Sequence, residues 1–263
     1  MKKYLVIGNP IDHSLSPRLH NYWLEKNNIN GTYEKKKISE EEVKDIISEV
    51  RNNKISGLNV TIPYKKIVIP YLDELSSEAK ESQSVNTISK KNDKIIGHNT
   101  DISGFELAIR SINFDTKNKK IFILGAGGVV SSIIIALKRL NVSKIILSNR
   151  TLAKAEKIRD SFTNIQIVKW GEVPDFDMII NATSLGLKGF GELEFDNLKV
   201  GPNKFFYDII YNPTKTKFLK NADLNGNRIE NGKMMFIYQA HQAFTLWNKK
   251  IPKIDKEVIK LLD

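Results

Sequence analysis

Two groups of residues in this 263-residue chain have types and spacings that could do chemistry. The first surrounds Gly125-Ala126-Gly127-Gly128, which follows the apolar run Ile121-Phe122-Ile123-Leu124 and precedes a patterned helical segment over 131–140. Apolar run, glycine turn and helix open a βαβ unit. Its glycines permit a tight turn and a close backbone approach to a pyrophosphate, whose charge sits against the free N–H groups of the helix N-terminus. Val130 stands in place of the third glycine of the dinucleotide fingerprint and Gly128 is an extra one. The run taken alone therefore leaves an ordinary strand–turn–helix open. Roughly 20 residues on, where an NAD site carries an acid, the chain reads Ser148-Asn149-Arg150-Thr151, with Lys154 one turn later. An acid there repels a 2′-phosphate, whereas a guanidinium pairs with it bidentately. The competing reading is that Asn149 or Thr151 caps the next helix beside a surface arginine. Further on, the small polar run Asn181-Ala182-Thr183-Ser184-Leu185-Gly186 ends another apolar strand and makes a natural wall for a cofactor ring.

The second group lies at strand ends nearer the N-terminus. Ser14 and Ser16 offer two hydroxyls after a strand over 4–8, at the strand end where α/β sheets bind ligands. Ser16-Pro17 also reads as an N-cap followed by a first-turn proline, and the pattern favours the cap. Lys65 follows a short strand over 58–62 that Pro63 stops. The pattern puts it near a helix start, where the macrodipole disfavours a cation. A local rule broken at a strand's C-terminal edge marks a candidate functional residue, while a solvated surface group is the competing reading. Asp101 ends Gly97-His98-Asn99-Thr100-Asp101 ahead of a helix. It is either that helix's N-cap or a carboxylate placed to meet Lys65 if the two strands adjoin.

The elements that must position these groups alternate along the chain. Strands are predicted over 4–8, 32–38 and 58–62, with helices from Ser16 to Asn27 and over 40–51, the latter carrying Val43, Ile46, Ile47 and Val50 at helical spacing. A helix is predicted over 72–80, a hairpin around Lys91-Asn92-Asp93, and a helix bearing Ile102, Phe105, Ile109 and Ile112. From Ile121 the pattern is βαβαβ, with strands over 121–125, 144–148, 165–168 and 177–180 and helices over 128–140 and 152–162. A strand over 204–210 exits through Tyr211-Asn212-Pro213-Thr214. Arg228-Ile229-Glu230 then leads through Asn231-Gly232 to a helix over 234–247 carrying Gln239 and Gln242, and a terminal helix runs to Asp263. This alternation is α/β, with a domain boundary near 101–118.

Composition removes several classes of function. The net charge is +11, from 41 Lys and Arg against 30 Asp and Glu, but lysine is spread along the whole chain. Lys2-Lys3, Lys35-Lys36-Lys37, Lys119-Lys120 and Lys249-Lys250 are not interleaved with stacking aromatics, which argues against nucleic acid and leaves a diffuse field favourable to small anions. No apolar run approaches the roughly 18 residues of a membrane span. The apolar start breaks at Gly8-Asn9-Pro10, too early for a signal peptide. The chain has no cysteine, which fits a reducing cytoplasm. His13, His20, His98 and His241 show no metal-ligand spacing, so no metal is expected and these residues are read as structural or loop groups. There is no internal repeat or low-complexity linker.

Taken together these motifs resemble the shikimate dehydrogenase family over nearly the whole chain. They are G-N-P-I-D-H-S-L-S-P-R-L-H-N (8–21), N-V-T-I-P-Y-K (59–65), V-N-T-I (85–88), N-T-D (99–101), G-A-G-G (125–128), N-R-T (149–151), N-A-T-S-L-G (181–186) and Gln239-Ala240. The resemblance implies two α/β domains with a cleft between them. One is a substrate domain over 1–101, joined by the C-terminal helices of 234–263. The other is a Rossmann-like, doubly wound NADP-binding domain over 102–233. It implies the NADPH-dependent, reversible reduction of 3-dehydroshikimate to shikimate on the route to chorismate and the aromatic amino acids, by a cytoplasmic monomer or homodimer. Lys65 and Asp101 would be the catalytic pair. Ser14, Ser16 and Tyr211 would bind the substrate carboxylate, and Thr61, Asn86, Asp101 and Gln239 the ring hydroxyls. Gly125, Ala126, Gly127, Gly128 and Val129 would take the pyrophosphate, and Asn149, Arg150, Thr151 and Lys154 the adenosine 2′-phosphate. Thr183, Ser184, Leu185, Gly232 and Met235 would neighbour the nicotinamide.

The chemistry agrees with that assignment. Ketone reduction needs a hydride on the carbonyl carbon and a proton at the oxygen. A lysine ammonium stabilises the developing alkoxide and supplies the proton, while a neighbouring carboxylate orients it. Gln83-Ser84, Ile102 and Met234 depart from the family pattern. They leave room for a relative that also accepts quinate or relaxes its cofactor choice. A non-catalytic nucleotide or metabolite sensor on the same fold is the remaining alternative.

Overall fold

The computed structural model describes residues 1–193 and 201–262, so Asp263, the expected end of the terminal helix, lies outside them. The chain forms two units, Met1–Phe105 with Ile237–Asp263, and Glu106–Phe236.

In the first unit β1 (Lys2–Gly8) leads through α1 (Ser16–Lys26) to β2 (Gly31–Lys37), and α2 (Val43–Arg51) leads to β3 (Gly57–Val60). β1 lies between β2 and β3, parallel to both. Tyr4, Leu5, Val6 and Ile7 are all buried, as a parallel strand covered on both faces requires. The predicted stripe of α2, Val43, Ile46, Ile47 and Val50, is the face it buries. The sheet continues through β4 (Glu74–Leu75), α3 (Ser77–Ser82) and the hairpin β5 (Thr87–Lys91) and β6 (Lys94–His98), in the order β2-β1-β3-β5-β6-β4. Asn92 and Asp93 both take positive φ, 49° and 61°, as the tight hairpin turn needs.

The helix expected over 72–80 is corrected. Residues 74–75 pair in parallel with Ile96 and Gly97, and Asp73 N donates to Ile95 O and Ser76 N to Gly97 O. The open edge of β6 captures the segment. Helix begins only after Ser76, whose hydroxyl caps Ala79 N at 3.2 Å. α4 (Asp101–Ser111) follows.

The second unit is a six-stranded sheet in which every pairing is parallel. Its elements are β7 (Lys120–Leu124), α5 (Val130–Arg139), β8 (Lys144–Ser148), α6 (Leu152–Ser161), β9 (Ile165–Ile167), β10 (Met178–Asn181), β11 (Phe205–Asp208), α7 (Lys217–Leu224) and β12 (Arg228–Glu230). The order β12-β11-β10-β7-β8-β9 is that of the doubly wound dinucleotide fold. The strand order reverses between β7 and β10, and a ligand crevice opens at the carboxyl ends of such strands. α8 (Lys233–Asn248) and α9 (Lys256–Lys260) complete the chain.

Candidate active site

Lys65 does not sit at a helix start, contrary to the sequence expectation. Residues 62–68 form successive turns that end in a single 3-10 turn, Ile69–Tyr71. Pro70 has no N–H to give Lys66 O, so an α-helix begun at Lys65 would lose a bond one turn in. The backbone is fixed instead by the sheet. Thr61 N donates to Ile7 O at 2.9 Å, and Val85 N donates to Lys65 O at 2.8 Å. The side chain then reaches Asp101, with Nζ 2.6 Å from Oδ2, and the two side chains are 12% and 8% exposed.

Asp101 opens α4 but does not cap it. Asn99 Oδ1 accepts from Asp101 N at 3.0 Å and from Ile102 N at 3.2 Å, so the free N–H groups of the first turn are satisfied elsewhere. That leaves the Asp101 carboxylate to accept from Lys65 through Oδ2 and from Asn86 Nδ2 through Oδ1 at 2.9 Å. Asn86 is fixed in turn, since its Oδ1 accepts from Thr100 N at 2.8 Å. Gln239 Oε1 lies 3.5 Å from Asn86 Nδ2. Four of the expected residues, Lys65, Asp101, Asn86 and Gln239, are thus one hydrogen-bonded cluster. A buried pair of this kind is held by geometry and surrounding donors, and removing one member strands the other charge.

Beneath the cluster lies a support, the first residue of the 59–65 motif, to which motif reading assigned no role. Asn59, buried in β3, donates from Nδ2 to Asn86 O and to Thr87 Oγ1, each at 3.0 Å, and its Oδ1 accepts from Tyr33 OH at 2.7 Å. The signal for it was an asparagine in the middle of an apolar strand, a polar group that burial obliges to find partners.

Ser16 is the first residue of α1, and Leu15 occupies the N-cap position without a side-chain bond. The capping reading of Ser16 is therefore corrected. Ser14 Oγ stands 3.2 Å from Ser16 Oγ, and Ser16 N donates to Ser14 Oγ at 3.3 Å. The side chain folds the loop on itself and holds two hydroxyls together. Asn9 N donates to Ile62 O at 3.0 Å, tying the serine loop to the loop that carries Thr61 and Lys65. Tyr211 belongs to the second unit, where its ring stacks on Phe236 at 4.3 Å.

The remaining expected residues gather at the carboxyl ends of the second sheet. Gly125 has φ +111°, and a Cβ there would stand 2.7 Å from Ala182 O, so only glycine fits beside β10. Gly127 is exposed, with no heavy atom nearer than 4.0 Å to a Cβ placed there. With Ala126, Gly128 and Val129 it forms the bend that enters α5, whose first residue is Val130. Asn149 Nδ2 donates to Thr151 O at 2.8 Å, while Thr151 holds the N-cap position of α6 with no side-chain cap bond. Neither capping reading of these residues is realised. Arg150 and Lys154 are both exposed, and neither side chain is engaged by an acid among the described residues. At β10, Asn181 Oδ1 accepts from Thr183 N at 3.1 Å and from Thr183 Oγ1 at 2.7 Å, and Thr183 Oγ1 accepts from Leu185 N at 3.0 Å. Gly232 lies against the exit of β11, where a Cβ would come within 2.0 Å of Ile209 O, and Met235 is buried nearby on α8. An open glycine bend, a helix start without a side-chain cap at Val129 and a guanidinium beyond β8 that no acid among the described residues engages together fit a dinucleotide with a 2′-phosphate. Among the described residues no group of three His, Cys, Asp or Glu could hold a metal.

Known shikimate dehydrogenases share this pattern. Residues 6–88 match the family model described as shikimate dehydrogenase substrate binding domain, and residues 106–209 match that of shikimate / quinate 5-dehydrogenase. A shikimate dehydrogenase (NADP(+)) of Pelagibacter ubique is 59% identical over 262 residues, covering 100% of this chain and 99% of that protein. The crystal structure of shikimate dehydrogenase from Aquifex aeolicus superposes with a TM-score of 0.90 at 34% identity, over 100% of this chain and 97% of that one. The Thermus thermophilus enzyme, solved in complex with NADP(H) and shikimate, gives 0.85 at 28% identity, over 100% and 98%.

Proposed function

The chain belongs to the shikimate dehydrogenase family, and on that footing we propose how its residues divide the NADP-dependent interconversion of 3-dehydroshikimate and shikimate. NADPH, when bound, supplies the hydride. The protein supplies everything else. The Lys65 ammonium faces the carbonyl oxygen, stabilises charge as it develops there and supplies the proton. Asp101 keeps Lys65 aimed, and its Oδ1 is fixed by Asn86. Asn86, Gln239 and Thr61 hold the ring hydroxyls, Ser14 and Ser16 the carboxylate, and Tyr211 assists them. Arg150 and Lys154, with Asn149 and Thr151, take the 2′-phosphate, and Gly125 to Val129 the pyrophosphate. Thr183 to Leu185, with Gly232 and Met235, line the nicotinamide. The proposal places the enzyme in the cytoplasm, where NADPH is supplied, as a monomer or homodimer. No helix among the described residues is long and apolar enough to cross a membrane.

The observation that carries this reading is the Lys65–Asp101 contact, 2.6 Å long and almost dry. The pair lies beside the amide groups of Asn86 and Gln239, which suits it to hold a ring hydroxyl and hand on a proton. The test is the appearance of NADPH absorbance when purified protein meets shikimate and NADP, beside wells with quinate and with NAD. Rapid NADPH formation from shikimate alone is the expected result. Comparable turnover of quinate would move the assignment to a quinate/shikimate dehydrogenase. Silence in every well from a protein that binds NADPH would overturn it.

A further inference from the structure

Asp208 is a fully buried acid in the second unit that the reaction as derived above leaves unused. It ends β11, in register with Asn181 at the end of β10. Three donors converge on it. Oδ1 accepts from Asn181 Nδ2 at 3.1 Å and from Ile210 N at 3.0 Å, and Oδ2 accepts from Thr216 Oγ1 at 2.6 Å. No cation among the described residues neutralises it, and the charge that acts on it, Glu192, has the same sign. Burial pushes its carboxyl up to about 6, and the hydrogen bonds from Thr216, Ile210 and Asn181 oppose that rise. Such a group is expensive, and each of its donors leads into a loop.

Asn181 carries the hold to the 182–187 turn, because its Nδ2 also donates to Leu185 O at 3.0 Å and its Oδ1 takes both donors of Thr183. Ile210 and Thr216 bracket the second loop, and Tyr211 lies directly after Ile210. One carboxylate therefore fastens two loops that rise from neighbouring strands. We propose that Asp208 is a positioning residue acting on both halves of the reaction, holding the Thr183–Leu185 turn for the nicotinamide and Tyr211 for the substrate carboxylate. The inference rests on the roles proposed above for those two segments.

Its signature is a joint effect that single-contact variants lack. Asp208→Ala, assayed well below its melting temperature, raises KM for NADP and for shikimate together by about tenfold or more, because misplaced contacts lose binding in both segments. Tyr211→Phe raises KM for shikimate only, and Thr183→Ala raises KM for NADP only. Asp208→Asn stays within about threefold of wild type, since the amide oxygen still accepts from Asn181 and Ile210 and the Thr216 hydroxyl can turn to accept from its NH2. If Asp208→Ala does not fold, Asp208→Ser, whose single short hydroxyl cannot reach Asn181, Ile210 and Thr216 together, gives the same joint rise, with Asp208→Asn as the restoring control. Folded Asp208→Ala or Asp208→Ser with both KM values unchanged, or with one changed alone, overturns the proposal. NADPH binding is titrated by its fluorescence on every variant. A wild type that binds NADPH but does not oxidise shikimate refutes the functional reading, whereas wild-type turnover with an unmoved NADPH affinity in Asp208→Ala refutes the clamp.

Discussion

Replacing His20 by phenylalanine should abolish an acid sensitivity that burial builds into the first unit. His20 is 1% exposed, and neither ring nitrogen has a hydrogen-bond partner among the described residues. Its surroundings are aromatic: it stacks on Tyr33 at 4.3 Å and 3°, meets Trp23 edge-on at 5.8 Å, and packs near Phe244 and Trp247. Desolvation lowers its pKa from 6.5 to about 3, so the folded protein holds it neutral. The unfolded chain takes up the proton as pH falls through 6.5, and the folded chain does not until about 3. Stability is therefore complete above 6.5 and is lost progressively as pH drops through that window. At about 1.36 kcal/mol per pK unit, the loss between pH 7 and pH 5 is about 2 kcal/mol, and full titration to pH 3 would cost roughly 4 to 5 kcal/mol.

Phenylalanine keeps the stack and cannot titrate. It also removes two unsatisfied nitrogens, so at pH 7 the variant is expected to match or exceed wild type. Urea unfolding of both proteins at pH 7, 6 and 5 reads the effect. His98 and His241, whose pKa values burial lowers, and Asp208 and Glu230, whose values it raises, titrate in both proteins. They cancel in the difference. The wild-type minus variant stability should shift by about 2 kcal/mol against wild type between pH 7 and pH 5. Parallel curves for the two proteins would refute the reasoning and mean that His20 gains a proton partner in the folded state.

Further outcomes follow from the site. Lys65→Ala should lower kcat by about 10² to 10⁴-fold, the usual weight of a positioned proton donor, with the circular dichroism spectrum unchanged; near wild-type turnover would remove Lys65 from the chemistry. Arg150→Ala should raise KM for NADP by about tenfold to a hundredfold, the worth of one or two charge-assisted hydrogen bonds, while leaving turnover with NAD almost untouched. An unmoved NADP constant would assign the 2′-phosphate elsewhere. Gly125→Ala should cost roughly 1 to 3 kcal/mol of strain from its positive φ, beyond the clash with Ala182 O. Thermal melts and NADPH titration would both register it, and an unaltered melting temperature would mean that the β7 turn is not held as described.

The glycine turn, the missing acid after β8 and the arginine in its place were legible because they are local: each is fixed by a strand end and the few residues beyond it. The same holds for the hairpin at Asn92-Asp93 and the stripe of α2. Where reading failed, a distant partner had intervened. Residues 72–75 have an acceptable helical pattern, yet the free edge of β6 offered hydrogen bonds that the pattern could not reveal. Ser16 and Asp101 both look like N-caps. Asn99 met the need at α4, and at α1 Ser14 Oγ takes the first N–H, that of Ser16. Lys65 looked like a lysine at a helix start, yet Pro70 withholds an N–H one turn on, and Lys65 O is taken by Val85 N from the sheet.

By itself, then, the sequence determined that the chain is α/β, where its second half winds as a dinucleotide fold, and which side chains could transfer a proton or take a phosphate. Residue type and strand-end position suffice for that, because they depend on near neighbours. Only the tertiary structure decided that Lys65 and Asp101, 36 residues apart in the chain, meet at 2.6 Å, that Asn59 supports Asn86 from below, and that Asp208 fastens two loops. Those contacts depend on which strands lie side by side, and strand order is set by the packing of whole faces, which no short stretch of sequence contains.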